Sequence, residues 1–128
     1  MAKESREIGQ AAESWCKQFL SEKGLEFVAE NFHSRYGEID LIFLDKSVEP
    51  KTLVFVEVRY RRSKNFGAGF ETVTHHKQKK IIKTAQIFLQ KDKQFTNHNV
   101  RFDVVSISSK NKNFKADWQS HAFEANAW

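Results

Sequence analysis

Two acids stand inside runs that are otherwise apolar. Asp40 sits in Gly37-Glu38-Ile39-Asp40-Leu41-Ile42-Phe43-Leu44, and Glu57 in Leu53-Val54-Phe55-Val56-Glu57-Val58-Arg59-Tyr60. An ionised carboxylate in an apolar interior is costly unless a cation, a metal ion or hydrogen bonds compensate it. Arg59 follows Glu57 by two residues, so in an extended chain the two share a face. Hard carboxylate oxygens near one another, and near a cation, at the edge of a packed sheet suit a divalent metal ion. The same residues also suit a partly buried ion pair, Asp40 or Glu57 with Arg59, that only holds the sheet in register.

Strand alternation gives each acid a direction. Asp40 is expected to point the same way as Ile42 and Leu44, and Glu57 and Arg59 the same way as Leu53 and Phe55. Both faces are apolar at one end and charged at the other, which puts the acids at the lip of a core.

The cations are bunched. Arg59, Arg61, Arg62 and Lys64 form one group, and Lys77, Lys79, Lys80 and Lys83 another, in a chain of net charge +5. A local positive field attracts a polyanion, and the first group directly follows the embedded Glu57, so a polyanion is the expected partner; a solvated basic face is the plainer alternative. His75 and His76 are adjacent and lack metal-ligand spacing, so solvent or phosphate contact is the expectation for them. Cys16 falls in a helical pattern and reads as packing; as the only cysteine it cannot form an internal disulfide, which fits a reducing compartment.

The elements that must carry these residues follow from periodicity. Residues 4–23 read as a helix with Ile8, Ala11, Ala12, Trp15 and Phe19 inward and Gly24 as its stop; Glu13 lies off that stripe, beside Cys16 and Leu20. Strands are expected over 25–32, 38–45 and 52–61, the last two joined as a hairpin through the turn at 47–51. After a loop over 61–69, a helix over 71–90 turns Val73, Ile81, Ala85, Phe88 and Leu89 inward, and a fourth strand covers 99–108. The aromatic tail, with Trp118, Phe123 and Trp128, is expected to pack at least in part or to dock a partner. The order α-β-β-β-α-β predicts a mixed sheet flanked by helices, with strands three and four parallel or separated. One α/β domain over residues 1–128 is expected. No apolar run approaches the roughly 20 residues of a membrane span. The charged start Met1-Ala2-Lys3-Glu4 does not resemble a secretory signal, so the cytoplasm is the expected location.

These residues resemble a known pattern. Glu on the first helix, Asp near the start of strand two and Glu-X-basic on strand three, in αβββαβ order, are similar to the PD-(D/E)XK nuclease superfamily. More narrowly, Gly37-Glu38-Ile39-Asp40-Leu41-Ile42, Val54-Phe55-Val56-Glu57-Val58-Arg59, Phe66-Gly67, Lys77-Gln78-Lys79 and Arg101-Phe102-Asp103-Val104 resemble the YraN-like family of small bacterial proteins. Archaeal Holliday-junction resolvases are similar in motif order, which points to branched DNA.

The resemblance implies a restriction-endonuclease-like αβββαβ core, a mixed central sheet flanked by helices. It implies Asp40 and Glu57 as ligands of Mg²⁺ or Mn²⁺, Glu13 as a ligand directly or through water, and Glu38 as support for the turn. Arg59 stands where the superfamily motif most often has Lys. A guanidinium effectively cannot exchange a proton, so Arg59 is expected to act as a fixed cation, positioning the attacking water or offsetting phosphate charge. Arg61, Arg62, Lys64, Lys77, Lys79 and Lys80 are the expected grip on nucleic-acid phosphates, reading shape rather than sequence. The expected function is metal-dependent hydrolysis of phosphodiester bonds in DNA, branched or damaged DNA included. The alternative is a non-catalytic nucleic-acid-binding protein on the same fold. A homodimer is compatible with either, and no residue demands one.

Overall fold

In the computed structural model, residues 2–62, 73–111 and 113–125 are described. The helix α1 covers Ala2–Glu22, and the strands β1 (Glu26–Ser34), β2 (Gly37–Asp45) and β3 (Thr52–Arg62) follow it. Then come α2 (His75–Lys91), a short 3₁₀ turn, β4 (Asn99–Lys110) and β5 (Asn113–Phe123). The expected αβββαβ order is present, with a fifth strand added at its end.

The sheet order is β1-β2-β3-β4-β5. Three neighbouring pairs are antiparallel and β3–β4 is parallel, as a crossover through α2 requires. The expected hairpin between β2 and β3 is closed by the pair Asp45–Thr52. The fifth strand, where the sequence shows only an aromatic tail, alternates Phe114, Ala116 and Trp118, half-buried, with Lys115 and Asp117, exposed. It adds Trp118 to the fold: half-buried and edge-on to Phe19, it donates its indole Nε1–H to the buried Asp103 at 2.9 Å. Part of the aromatic tail therefore packs, as expected, at Trp118, while Trp128 lies outside the described residues.

Each sheet face has its own core. Ala12, Cys16 and Leu20 of α1 cover Leu41, Phe43, Val54, Val56, Val105 and Ile107. Ile81, Ile82, Ala85 and Phe88 of α2 cover Ile39, Ile42, Leu44, Leu53, Phe55, Phe102 and Val104. The buried stripe of α1 is therefore Ala12–Cys16–Leu20, turned from the expected one so that Ala11 is exposed and Trp15 and Phe19 are half-buried. The turn brings Glu13, at i−3 from Cys16, to the border of the buried face.

Candidate active site

The strand β2 loses its regular alternation at the acid. Ile39 belongs to the α2 face and Leu41, two residues on, to the α1 face, whereas an undisturbed strand would give them one face. Asp40 occupies the slip. It is therefore not simply in line with Ile42 and Leu44, which both lie on the α2 face. The last registered β2–β3 pair is Leu41–Val56. Beyond it the Asp40 carboxylate, rather than a β2 carbonyl, accepts the Val58 amide at 2.7 Å. The side chain thus holds open the point where β2 and β3 separate.

Glu57 shares the α2 face with Leu53 and Phe55, as alternation predicts. Asp40 and Glu57 are both buried, at 7% and 6% exposure, and their carboxyl groups meet across the separation. Burial first, and then the negative charge of Glu57, push the Asp40 carboxyl up to about 8, against the pull of the Val58 amide. Glu13 adds to this repulsion from α1. Its own carboxyl is raised, by partial burial first and then by the charges of Glu38, Glu30 and Glu57. Beneath the acids the buried Cys16 thiol is pushed up to about 12 by desolvation and the nearby Asp40 and Glu13 charges, so it is an inert packing group.

One cation on this cluster comes from α2. Lys77 Nζ ion-pairs with Glu57 Oε2 at 2.5 Å. Its position is set by the helix start, where Thr74 is the N-cap and its Oγ1 accepts the Lys77 amide at 3.2 Å. Sequence reasoning placed Lys77 among the phosphate-contacting lysines. The signal for its place at the acids was Thr74 three residues earlier, which aims the first turn of α2 at the sheet edge.

The other expected residues fall around this centre. Arg59 is half-buried on β3, on the face of Glu57 and in register with Ser106 of β4. Glu38 is exposed and pairs with His33 at 3.2 Å across the β1–β2 hairpin, a supporting place. Arg61 is half-buried near the end of β3, and Lys79 and Lys80 are exposed on α2. The Arg62 side chain and Lys64 lie outside the described residues, as do Phe66 and Gly67.

Among the described residues no three His, Cys, Asp or Glu side chains converge closely enough to enclose a metal ion. The centre is a two-carboxylate seat with Glu13 as an outer acid. That donor set fits Mg²⁺ or Mn²⁺ in kind. Mg²⁺ keeps several waters and is commonly bound through one or two carboxylates, and the buried pair carries negative charge that a divalent cation would offset.

Comparison with known proteins places the chain. Residues 12–107, which include Glu13, Asp40, Glu57, Arg59 and Lys77, match the family described as "Uncharacterised protein family UPF0102". A UPF0102 protein of Stutzerimonas stutzeri (strain A1501) is 43% identical over 122 residues, covering 95% of this chain and 98% of that protein. One of Vibrio campbellii (strain ATCC BAA-1116) is 47% identical over 103 residues, covering 80% and 81%. One of Legionella pneumophila subsp. pneumophila (strain Philadelphia 1) is 41% identical over 121 residues, covering 94% and 98%. Among the described residues no helix is long and apolar enough to cross a membrane.

Proposed function

The chain belongs to the UPF0102 family, and from the acids its fold brings together we propose that it is a divalent-metal-dependent nuclease that hydrolyses phosphodiester bonds in DNA. The observation that carries this reading is the meeting of buried Asp40 and Glu57 at the separation of β2 and β3, an arrangement unfavourable for folding on its own account. Asp40 and Glu57 would hold Mg²⁺ or Mn²⁺, with Glu13 reached directly or through water. When bound, the ion supplies charge relief at the phosphoryl oxygens and makes water more acidic.

The protein's own groups do the rest. The Val58 amide fixes one Asp40 oxygen, and Glu57 stands at the same carboxyl group. Lys77 orients Glu57 and adds a positive charge where the phosphate would arrive. Arg59, permanently charged on the same face of β3, serves as a fixed cation rather than a proton carrier. Backbone phosphates either side of the cut are gripped by the basic groups of β3 and α2. Such contacts carry little base information, so shape or strandedness, as in branched or damaged DNA, selects the substrate.

The test uses labelled linear, nicked, flap and four-way DNA with and without Mg²⁺ or Mn²⁺, beside Asp40→Ala and Glu57→Ala. Cleavage that needs the metal and disappears in both variants is expected. Undiminished binding with no cutting of any substrate would sink the enzymatic reading and leave a nucleic-acid-binding protein.

A further inference from the structure

The β1–β2 hairpin tip carries two cations arranged around one aromatic ring. The Arg35 guanidinium lies over the Tyr36 ring at 5.0 Å from its centroid, and Arg35 Nη2 donates to the Tyr36 hydroxyl at 2.9 Å. Lys83 of α2 reaches the same ring, its Nζ also at 5.0 Å from the centroid. Arg35 and Lys83 are exposed and Tyr36 is half-buried.

The tip is held rigidly against α2. Ser34 Oγ accepts the Tyr36 amide at 3.1 Å and shares a 2.7 Å hydrogen bond with Thr84 Oγ1, and Thr84 is fully buried. Gly37 lies against the stem of Lys80: a Cβ built there would stand 3.7 Å from Lys80 Cβ. Lys77, Lys80 and Lys83 follow one another at i, i+3 spacing along α2, each neighbouring the next, and Lys77 touches Glu57. A cationic track therefore runs from the acid pair along α2 to the hairpin tip. Glu38, beside the tip, is in contact with His33.

We propose that Arg35, Lys80 and Lys83, organised by Tyr36, form a clamp for the phosphate backbone of a nucleic-acid strand entering or leaving the acid pair. The inference rests on the reading of that pair as a nucleic-acid-cleaving centre. Phosphate is the ligand because the ring's face is committed to cations, which leaves guanidinium and ammonium groups, not an open stacking platform, toward solvent. Prepositioned cations lose less side-chain freedom on binding than loose ones, so the ring strengthens a contact it does not itself make.

Binding of fluorescently labelled four-way and flap DNA is measured in EDTA across a salt series, with cleavage measured separately in Mg²⁺. Arg35→Ala and Lys83→Ala should each flatten the slope of log affinity against log salt by about 0.7–0.9, while Lys93→Ala, in the 3₁₀ turn (Lys93–Phe95) past the C-terminal end of α2, leaves it unchanged. Tyr36→Leu should weaken binding about two- to fivefold with nearly the parent slope, the value of a cation–ring contact at an exposed site. If the parent binds and the Arg35 and Lys83 variants keep both its affinity and its slope, the clamp is wrong while metal-dependent cutting can still stand. If the slopes fall but no substrate is cut, the clamp stands and the nuclease reading fails. Absence of any binding by the parent overturns both.

Discussion

Asp40 accepts the Val58 amide, shares a hydrogen bond with Glu57 and faces the charges of Glu57 and Glu13, so its ionised form is poorly compensated. Its carboxyl is raised to about 8, by burial first and the Glu57 charge second, from an ordinary value of 3.8. The folded protein therefore holds a proton that the unfolded chain releases as pH rises above about 4. Stability should fall between about pH 4 and 8, by at most about 1.4 kcal/mol per pH unit, and level off above that range. Melting curves at pH 5, 6.5 and 8 in EDTA check this. Asp40→Asn should remove most of the slope, and a parent with no slope would mean that Asp40 stays ionised throughout. Lys77 answers the same excess of charge from the other side. Because Lys77 is half-exposed, Lys77→Ala should cost only about 1 kcal/mol, although its partner Glu57 is buried. Added Mg²⁺ should shrink that deficit, since either cation offsets the same carboxylate, and Lys77→Arg should show little deficit at all. The pairing of Asp40 with Glu57 was legible in the sequence, because an acid in an apolar run needs a partner. The slip of β2 at Asp40 was not, since alternation assumes a regular strand.

At the scale of elements, α2 sets where the cation arrives. Expected from residue 71, it begins at His75 after the N-cap Thr74, whose hydroxyl takes the Lys77 amide while its carbonyl accepts from Gln78 N at 2.8 Å. Thr74→Ala should therefore cost about 1 kcal/mol, and Thr74→Ser much less. Chemical unfolding measures the cost, and faster amide exchange at Lys77 and Gln78 should locate it in the first turn. The inward residues Ile81, Ala85 and Phe88 were readable because helical period and apolar type agree; Ile82 and the buried Thr84 were not. Thr84 is admitted to the interior by hydrogen bonds to Ser34 Oγ and the Lys80 carbonyl, and such partners are invisible to periodicity. For the same reason α1 was placed correctly along the chain but rotated about its axis. Trp15 and Phe19 stack on each other at 5.3 Å beside the core, while the smaller Ala12 and Cys16 fill its centre, where the helix approaches the sheet closely.

Across the whole molecule, the strands that carry the acids are central and the charges that hold the edge are buried. Asp103 on β4, 1% exposed, accepts from Arg101 Nε at 3.1 Å, from Trp118 Nε1 at 2.9 Å and from the His121 amide at 3.0 Å. Arg101 in turn donates from Nη1 to Asp45 Oδ2 at 2.7 Å, so one ionic cluster ties β2, β4 and β5. The Arg101-Phe102-Asp103-Val104 stretch therefore serves the assembly of the sheet, with Phe102 and Val104 facing α2 and the charged pair alternating with them. Losing one member of such a cluster strands the others without water. Asp103→Ala leaves Arg101 with Asp45 alone and orphans an indole and an amide donor, at a cost of about 3–5 kcal/mol. Trp118→Phe keeps most of the ring contact with Phe19 and removes one donor, so it should cost only about 1 kcal/mol. Because both act through Asp103, their effects should not add: in the double variant the Trp118 change should cost almost nothing further. Urea unfolding of the parent, the two single variants and the double variant closes this cycle. Additive losses would mean that Trp118 holds β5 by ring packing alone, and that the buried carboxylate does not reach the edge strand.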